Sequence, residues 1–188
     1  AYAYYQNAGE PNPVSGNWTV SFVQGGLQLP ASITVDSLGS WTDFVGDEYK
    51  SFSGTAVYTT TINKVPVADV IKLDLGSVAE NASVYLNGDY IGTVIDSPYQ
   101  LYIPAEKFKG QDELVVRVAN SMANRIAYMD KKGMDWKIFY NVNMSARKKE
   151  NVKNGIFDAS NWEPKSSGLL GPVMLIPVVV LSLIHISE

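Results

Sequence analysis

Apolar and polar residues alternate with a period of two in several short runs of this chain. Trp18, Val20 and Phe22 alternate with Thr19 and Ser21, the pattern of a strand with one buried face. Ile71 to Leu75 reads IKLDL and stops at Gly76. Ser51 to Ile62 is rich in β-branched residues and tyrosine, which suits a pleated, half-buried surface. Gln100 to Ile103 is a short run stopped by Pro104, and Glu113 to Ala119 reads ELVVRVA. Gly168 to Ile176 is a last apolar run, broken near its start by Gly171-Pro172. The sharpest signal is Ala82 to Gly92, ASVYLNGDYIG. Asn87-Gly88 between two such runs predicts a hairpin with a type I′ turn, which needs φ > 0 at both central positions. A two-residue loop pairs Val84 with Ile91 on one face and Tyr85 with Tyr90 on the other. Many short strands with turn residues between them, and no strand–helix alternation, predict an all-β chain folded as an antiparallel β-sandwich. Val84, Leu86, Ile91, Leu73, Leu75, Val116 and Val118 are expected to point inward, with Trp18 among them.

Composition bounds the domain plan. At 188 residues, 46% apolar and 18% charged, the chain suits one domain with a sizeable core. Residues 1–15 are rich in Pro, Gly and Asn and read as a linker or the end of a preceding domain. The sandwich is expected over 16–177 and a tail over 178–188. Within the tail, LSLIHISE (181–188) resembles a translated sequencing adapter and is expected to contribute nothing to fold or function. The chain starts at Ala1 with no basic and apolar leader, as expected of a fragment. The apolar run from Val173 to Ile186 is too short for a membrane span, which needs about 20 residues.

One interval stands apart. Ser121 to Lys165 is 45 residues long between two predicted strands, and loops of that length are usually functional or carry structure of their own. It holds nine Lys or Arg against five acids, so it carries +4 while the remainder carries −8. A long, irregular, basic excursion on an acidic sandwich is the expectation. Bulk charge of −4 gives no reason to expect nucleic acid.

The chemistry available is limited. There is no cysteine, and the single histidine is His185 in the tail, so thiol chemistry is excluded and no credible histidine base exists. No Gly-x-Ser-x-Gly elbow is present. Hydrolysis by general acid and base calls for two carboxyl groups flanking one bond, and the sequence cannot set two acids of this chain across a cleft. Asp74 and Asp89 read as solvated edge positions. No catalytic residue, metal ligand or cofactor is assigned. Asp43, Asp47 and Glu48 read as solvated acids, with a structural calcium left open. The candidate substrate-binding residues are Trp136, Tyr140, Trp162, Asn124, Arg125 and Arg147. Aromatic faces can stack on a ligand ring, and Arg can clamp a carboxylate. Each has a plainer reading. The aromatic residues can anchor the excursion onto the sandwich, which is favoured, and Asn124-Arg125 can hold a loop. Trp41 reads equally as core or rim. Arg125, Lys137 and Arg147 are expected to face outward, toward an acidic partner surface or an acidic polysaccharide substrate.

The order of these segments resembles a known family. The residues are Tyr49…Phe52-Ser-Gly-Thr-Ala-Val-Tyr58, Leu73-Asp-Leu-Gly76, Val84-Tyr-Leu-Asn-Gly88…Gly92, Pro98-Tyr99, Glu113-Leu-Val-Val-Arg-Val118 with Asn120, Asn124-Arg125, and Gly168-Leu-Leu-Gly-Pro-Val173. Over about residues 16–177 the chain resembles the galactose-binding-like sandwich, or sugar-binding domain, of the β-galactosidase and β-glucuronidase family. It is more similar still to the C-terminal sandwich of large bacterial α-L-rhamnosidases. The resemblance implies a jelly roll attached to a larger glycoside hydrolase, secreted or periplasmic, whose catalytic carboxylates lie on another domain. The implied partners are that catalytic domain and a plant-type polysaccharide or oligosaccharide. An independent carbohydrate-binding module and a catalytic fragment are the rival readings.

Overall fold

The computed structural model describes residues 3–26, 28–138 and 148–182. In chain order the elements are β1 (Ala3–Asn7), β2 (Asn12–Pro13), β3 (Trp18–Gly25), β4 (Ile33–Val35), α1 (Asp47–Lys50), β5 (Gly54–Ile62), β6 (Val70–Asp74) and β7 (Ser77–Ala79). There follow β8 (Asn81–Leu86), β9 (Asp89–Val94), β10 (Gln100–Pro104), β11 (Asp112–Ala119), α2 (Ala123–Lys131), β12 (Val152–Lys153), β13 (Ile156–Phe157), β14 (Gly168–Gly171) and β15 (Met174–Ser182).

Two antiparallel sheets make the sandwich. One runs β4-β3-β5-β11-β8-β9. The other runs β1-β15-β6-β10, with β2 also paired to β15. The register places inward residues in rows. Val20, Tyr58, Val116 and Val84 are mutual neighbours across four strands, and Leu175, Leu73 and Leu101 form a row in the facing sheet. Val20, Val84 and Val116 are wholly buried, each contributing about 1.5–3 kcal/mol by leaving water. Of the seven residues expected inward, six are buried, and Ile91 packs against the core from a half-buried position. Trp18 and Trp41 are both core.

The Asn87-Gly88 turn has φ of +54° and +85°, as type I′ requires. Tyr85 faces Tyr90, but Val84 faces Gly92, because a bulge follows and makes Ile91 the extra residue. A Cβ on Gly92 would lie 2.9 Å from Leu101 Cδ2, so β10 leaves no room for a side chain there. Asp74 is not a free edge acid. Its carboxylate accepts from Gly76 N at 2.8 Å and Gln100 Nε2 at 2.7 Å and so holds the turn into β7.

The sheet reaches beyond 16–177. The Ala-Tyr-Tyr-Gln-Asn and Asn-Pro segments of the expected linker are β1 and β2, and β15 continues through Leu181 and Ser182. Val178-Val-Val-Leu181 keeps strand propensity, and β1 supplies a partner for its open edge. Lys72 Nζ crosses β15 to donate to Asn7 Oδ1 at 2.8 Å.

The start of β11 is clamped to the hairpin. Asp112, wholly buried, accepts from Asn87 Nδ2 at 2.7 Å, Lys109 N at 2.7 Å and Gly110 N at 3.1 Å. Asp112→Ala leaves three donors without their acceptor, so a stability loss of about 2–4 kcal/mol in urea unfolding is expected. Asp89→Ala, exposed at the same hairpin, should change stability by less than about 0.5 kcal/mol. Equal effects from the two variants would refute the clamp.

Candidate functional site

The basic excursion leaves β11 and returns to β14 through a buried polar neck. Asn120 Oδ1 accepts from Gly54 N at 2.9 Å, and its Nδ2 donates to Phe52 O at 3.1 Å and Ser167 Oγ at 3.0 Å. Asn124 Oδ1 accepts from Lys165 N at 2.7 Å, and its Nδ2 donates to Lys165 O at 2.8 Å. Ser167 N donates to Ser40 Oγ at 2.9 Å. The two ends of a 45-residue segment are thus tied together and to the sandwich. Beneath the neck, a Cβ on Gly168 (φ +108°) would lie 2.2 Å from the Tyr58 hydroxyl and 2.8 Å from the Trp41 ring. Burial pushes the Tyr58 phenol above its ordinary range, and its hydroxyl approaches the Leu169 backbone without reaching good hydrogen-bond geometry.

The excursion is less irregular than its sequence suggests. It opens with α2, whose buried residues are Asn124, Ala127 and Met129. The helix ends in a Schellman motif: Met134 N donates to Met129 O at 2.9 Å, Gly133 N donates to Asp130 O at 3.1 Å, and Gly133 takes φ +63°. Beyond the helix lies the two-residue ribbon β12–β13.

Asp130 is the second anchor. Its side chain is 1% exposed. Oδ1 accepts from Trp136 Nε1 at 2.7 Å and pairs with Lys137 Nζ at 2.6 Å, while Oδ2 accepts from Ala159 N at 2.8 Å. Lys137 Nζ also lies 5.3 Å from the centre of the Trp136 ring. Lys137, expected to face outward, is therefore turned in and neutralised. Beside this group, Ser160 donates from both its amide and its hydroxyl to Asp158, which holds that carboxyl below its usual range.

Two clefts flank the contact between α1 and α2. The first, of about 260 Å³, is lined by Asp47, Lys50 and Ser51 from α1 and its end, by Asn124, Tyr128, Lys131 and Lys132 of the α2 region, and by Trp162 and Pro164. Trp162 is fixed by its Nε1, which donates to Asn151 Oδ1 at 2.9 Å, and by an edge contact with Phe157 at 5.7 Å. Lys132 Nζ lies 3.5 Å from Asp47 Oδ2 and 5.4 Å from the Tyr128 ring centre. The second cleft, of about 350 Å³, holds Arg125 with Glu48, Met129 and Met134 among its walls and shares Asp47, Ser51 and Tyr128 with the first.

The candidates therefore separate. Asn124 and Trp162 meet in the first cleft, although the amide of Asn124 is taken up by the Lys165 backbone. Arg125, one residue on, lines the second cleft. Trp136 belongs to the Asp130 anchor. Tyr140 and Arg147 lie outside the described residues. Sequence reasoning missed Tyr128, Lys131, Lys50 and Asp130. Asn124, Tyr128 and Lys131 at i, i+4 and i+7 would have flagged one helix face, with Lys-Lys-Gly133 as its stop. Asp47 is the single carboxylate among the described lining residues of the first cleft, beside three lysines and two aromatic rings. Among the described residues, no three Asp, Glu or His side chains converge as metal ligands, and no helix is long and apolar enough to cross a membrane.

No family model matches the chain. A Formosa agariphila protein named "Putative beta-glucuronidase" is 31% identical over 93% of this chain and 16% of its own length. A solved rhamnosidase from Novosphingobium sp. PP1Y is similar with a TM-score of 0.70 and 28% identity, over 94% of this chain and 15% of its own. A β-galacturonidase from Eisenbergiella tayi shares the fold, at a TM-score of 0.51 and 16% identity. The chain spans about one sixth of the length of the Formosa and Novosphingobium proteins.

Asp130→Ala removes a buried carboxylate from beneath a lysine, an indole and a backbone amide. A loss of about 3 kcal/mol is expected, with faster amide exchange over 130–138 and 148–160 but unchanged protection in β5 and β11. Uniform loss of protection across the chain, or none, would contradict the anchoring role.

Proposed function

We propose that this chain is a non-catalytic β-sandwich module of a larger glycoside hydrolase. The observation that carries the reading is the match of 94% of the chain to a 15% segment of the Novosphingobium rhamnosidase. Similarity over nearly the whole of one partner and a small part of the other is what a discrete module of a longer enzyme produces. The finer reading is a galactose-binding-like jelly roll, α-L-rhamnosidase-like in its parent, which works outside the cytoplasm. The catalytic carboxylates then belong to another domain, and this module packs against it. An exposed apolar ribbon supports the packing: Tyr5, Val179, Val180 and Leu181 on β1 and β15 are each about two-fifths exposed. A second reading, an independent carbohydrate-binding module, is favoured by the Tyr128–Trp162 cleft.

Two measurements test the reading. The 188-residue chain should not hydrolyse aryl rhamnosides or aryl glucuronides. Turnover that survives purification and disappears when an acid pair of this chain is mutated would make it a catalytic fragment. Replacing the matching segment of the Novosphingobium rhamnosidase with this chain should retain at least about a tenth of the activity, whereas deletion should abolish it. A chimera no better than the deletion would count against the module reading.

A further inference from the structure

The first cleft carries more chemistry than a packing defect between two helices. Three lysines, Lys50, Lys131 and Lys132, stand around it against one carboxylate, Asp47. Lys132 is paired with Asp47 at 3.5 Å. Lys50 and Lys131 are exposed and have no ion pair among the described residues. Two local cations therefore await a counter-charge on a chain whose overall charge is −4. Between them lie half-buried Tyr128 and Trp162. The indole of Trp162 is held at its nitrogen and at its edge, so little side-chain freedom remains to be lost on binding. Ala127 and Pro164 add apolar wall. The volume, about 260 Å³, falls just below the range for clefts that take drug-sized ligands, which suits one sugar ring better than a long polymer segment.

We propose that this cleft binds a carboxylate-bearing pyranose, a uronate unit of an acidic oligosaccharide. Lys50 and Lys131 receive the carboxylate, and Tyr128 and Trp162 receive the apolar face of the ring. Asp47 is the competing anion: it occupies Lys132 in the free protein and opposes a second negative charge beside it. The sugar nature of the ligand rests on the module reading above, while its charge rests on the cleft alone.

Titration of the 188-residue chain with tri-D-galacturonate and with its methyl ester, followed by NMR, tests this. The ester keeps the rings and removes the charge. The acid should bind at least about fivefold more tightly than the ester, and raising NaCl from about 50 to about 500 mM should erase most of that difference. The indole N–H resonance of Trp162 should shift, and that of buried Trp18 should not. Lys50→Gln with Lys131→Gln should weaken acid binding by about fivefold or more, whereas Asp47→Asn should tighten it about twofold, through release of Lys132. All three positions are exposed, so thermal unfolding should match the parent and folding should not confound the comparison. Equal binding of acid and ester, no binding of the acid up to about 10 mM, or unchanged affinity in the double lysine variant would each overturn the proposal. None of these outcomes touches the chimera experiment, so the two readings fail separately.

Discussion

The cluster of Asn120, Asn124, Ser167 and Ser40 is the constraint on which the remainder of this structure depends. A 45-residue segment must leave the end of β11 and return at the start of β14. Loop-closure entropy rises slowly with length, so joining the two ends is a modest demand. The larger demand is to satisfy the backbone polar groups where the two ends cross into the protein. Asn120 satisfies the start of β5, Asn124 satisfies Lys165 in both directions, and Ser40 satisfies Ser167. The neck is also sterically fixed, since Gly168 presses on Tyr58 and Trp41 with no room for a methyl group. From this fixed exit α2 sets out, and the first cleft lies between residues of α1, the α2 region and the Trp162 segment.

A second anchor then decides what the excursion presents to solvent. Summed charge suggested a uniformly basic flap. The Asp130 group changes that distribution, because it takes Lys137 and Trp136 inward together. The cation and the ring thus serve the excursion's own attachment. Lys131 and Lys132 at the C-terminal end of α2 stay exposed, where positive charge also suits the helix dipole, as do Lys148, Lys149, Lys153 and Lys165 elsewhere on the excursion. Lys50 joins Lys131 and Lys132 at the first cleft.

The legible part of the fold was the local part. Asn87-Gly88 specified its turn, and period-2 runs identified the inward faces of β3, β6, β8 and β11. The register beyond the turn was not legible, because the bulge sets Gly92 rather than Ile91 opposite Val84, at a position that Leu101 of β10, distant in sequence, leaves no room to fill. β1 and β2 were hidden for a related reason: short polar segments become strands only where a partner edge exists, and β15 supplies it. Trp136 and Trp162 looked equivalent as aromatic residues in a basic loop. Their separation depends on which acceptor each indole finds, Asp130 or Asn151, and nothing in the spacing encodes that. Nothing in its sequence context singled out Asp130 from the other acids of the excursion. Its burial follows from the Schellman turn at Gly133, which carries the chain back so that Trp136 and Lys137 reach it.

Fold likeness alone assigns no chemistry, since sandwiches host many functions. What similarity contributes here is coverage rather than shape. Almost all of this chain matches about one sixth of proteins named for glycosidic chemistry, and the first cleft offers cations and aromatic rings with a single carboxylate. Hydrolysis of a glycosidic bond calls for two carboxyl groups held across it. A site with ring-binding and anion-binding groups but no such pair can hold a sugar without cleaving it. On the proposed reading, cleavage occurs elsewhere in a longer protein. The exposed ribbon of Tyr5, Val179, Val180 and Leu181 points the same way, because apolar side chains at the open end of a two-strand ribbon are stable neighbours for another packed surface and poor ones for water.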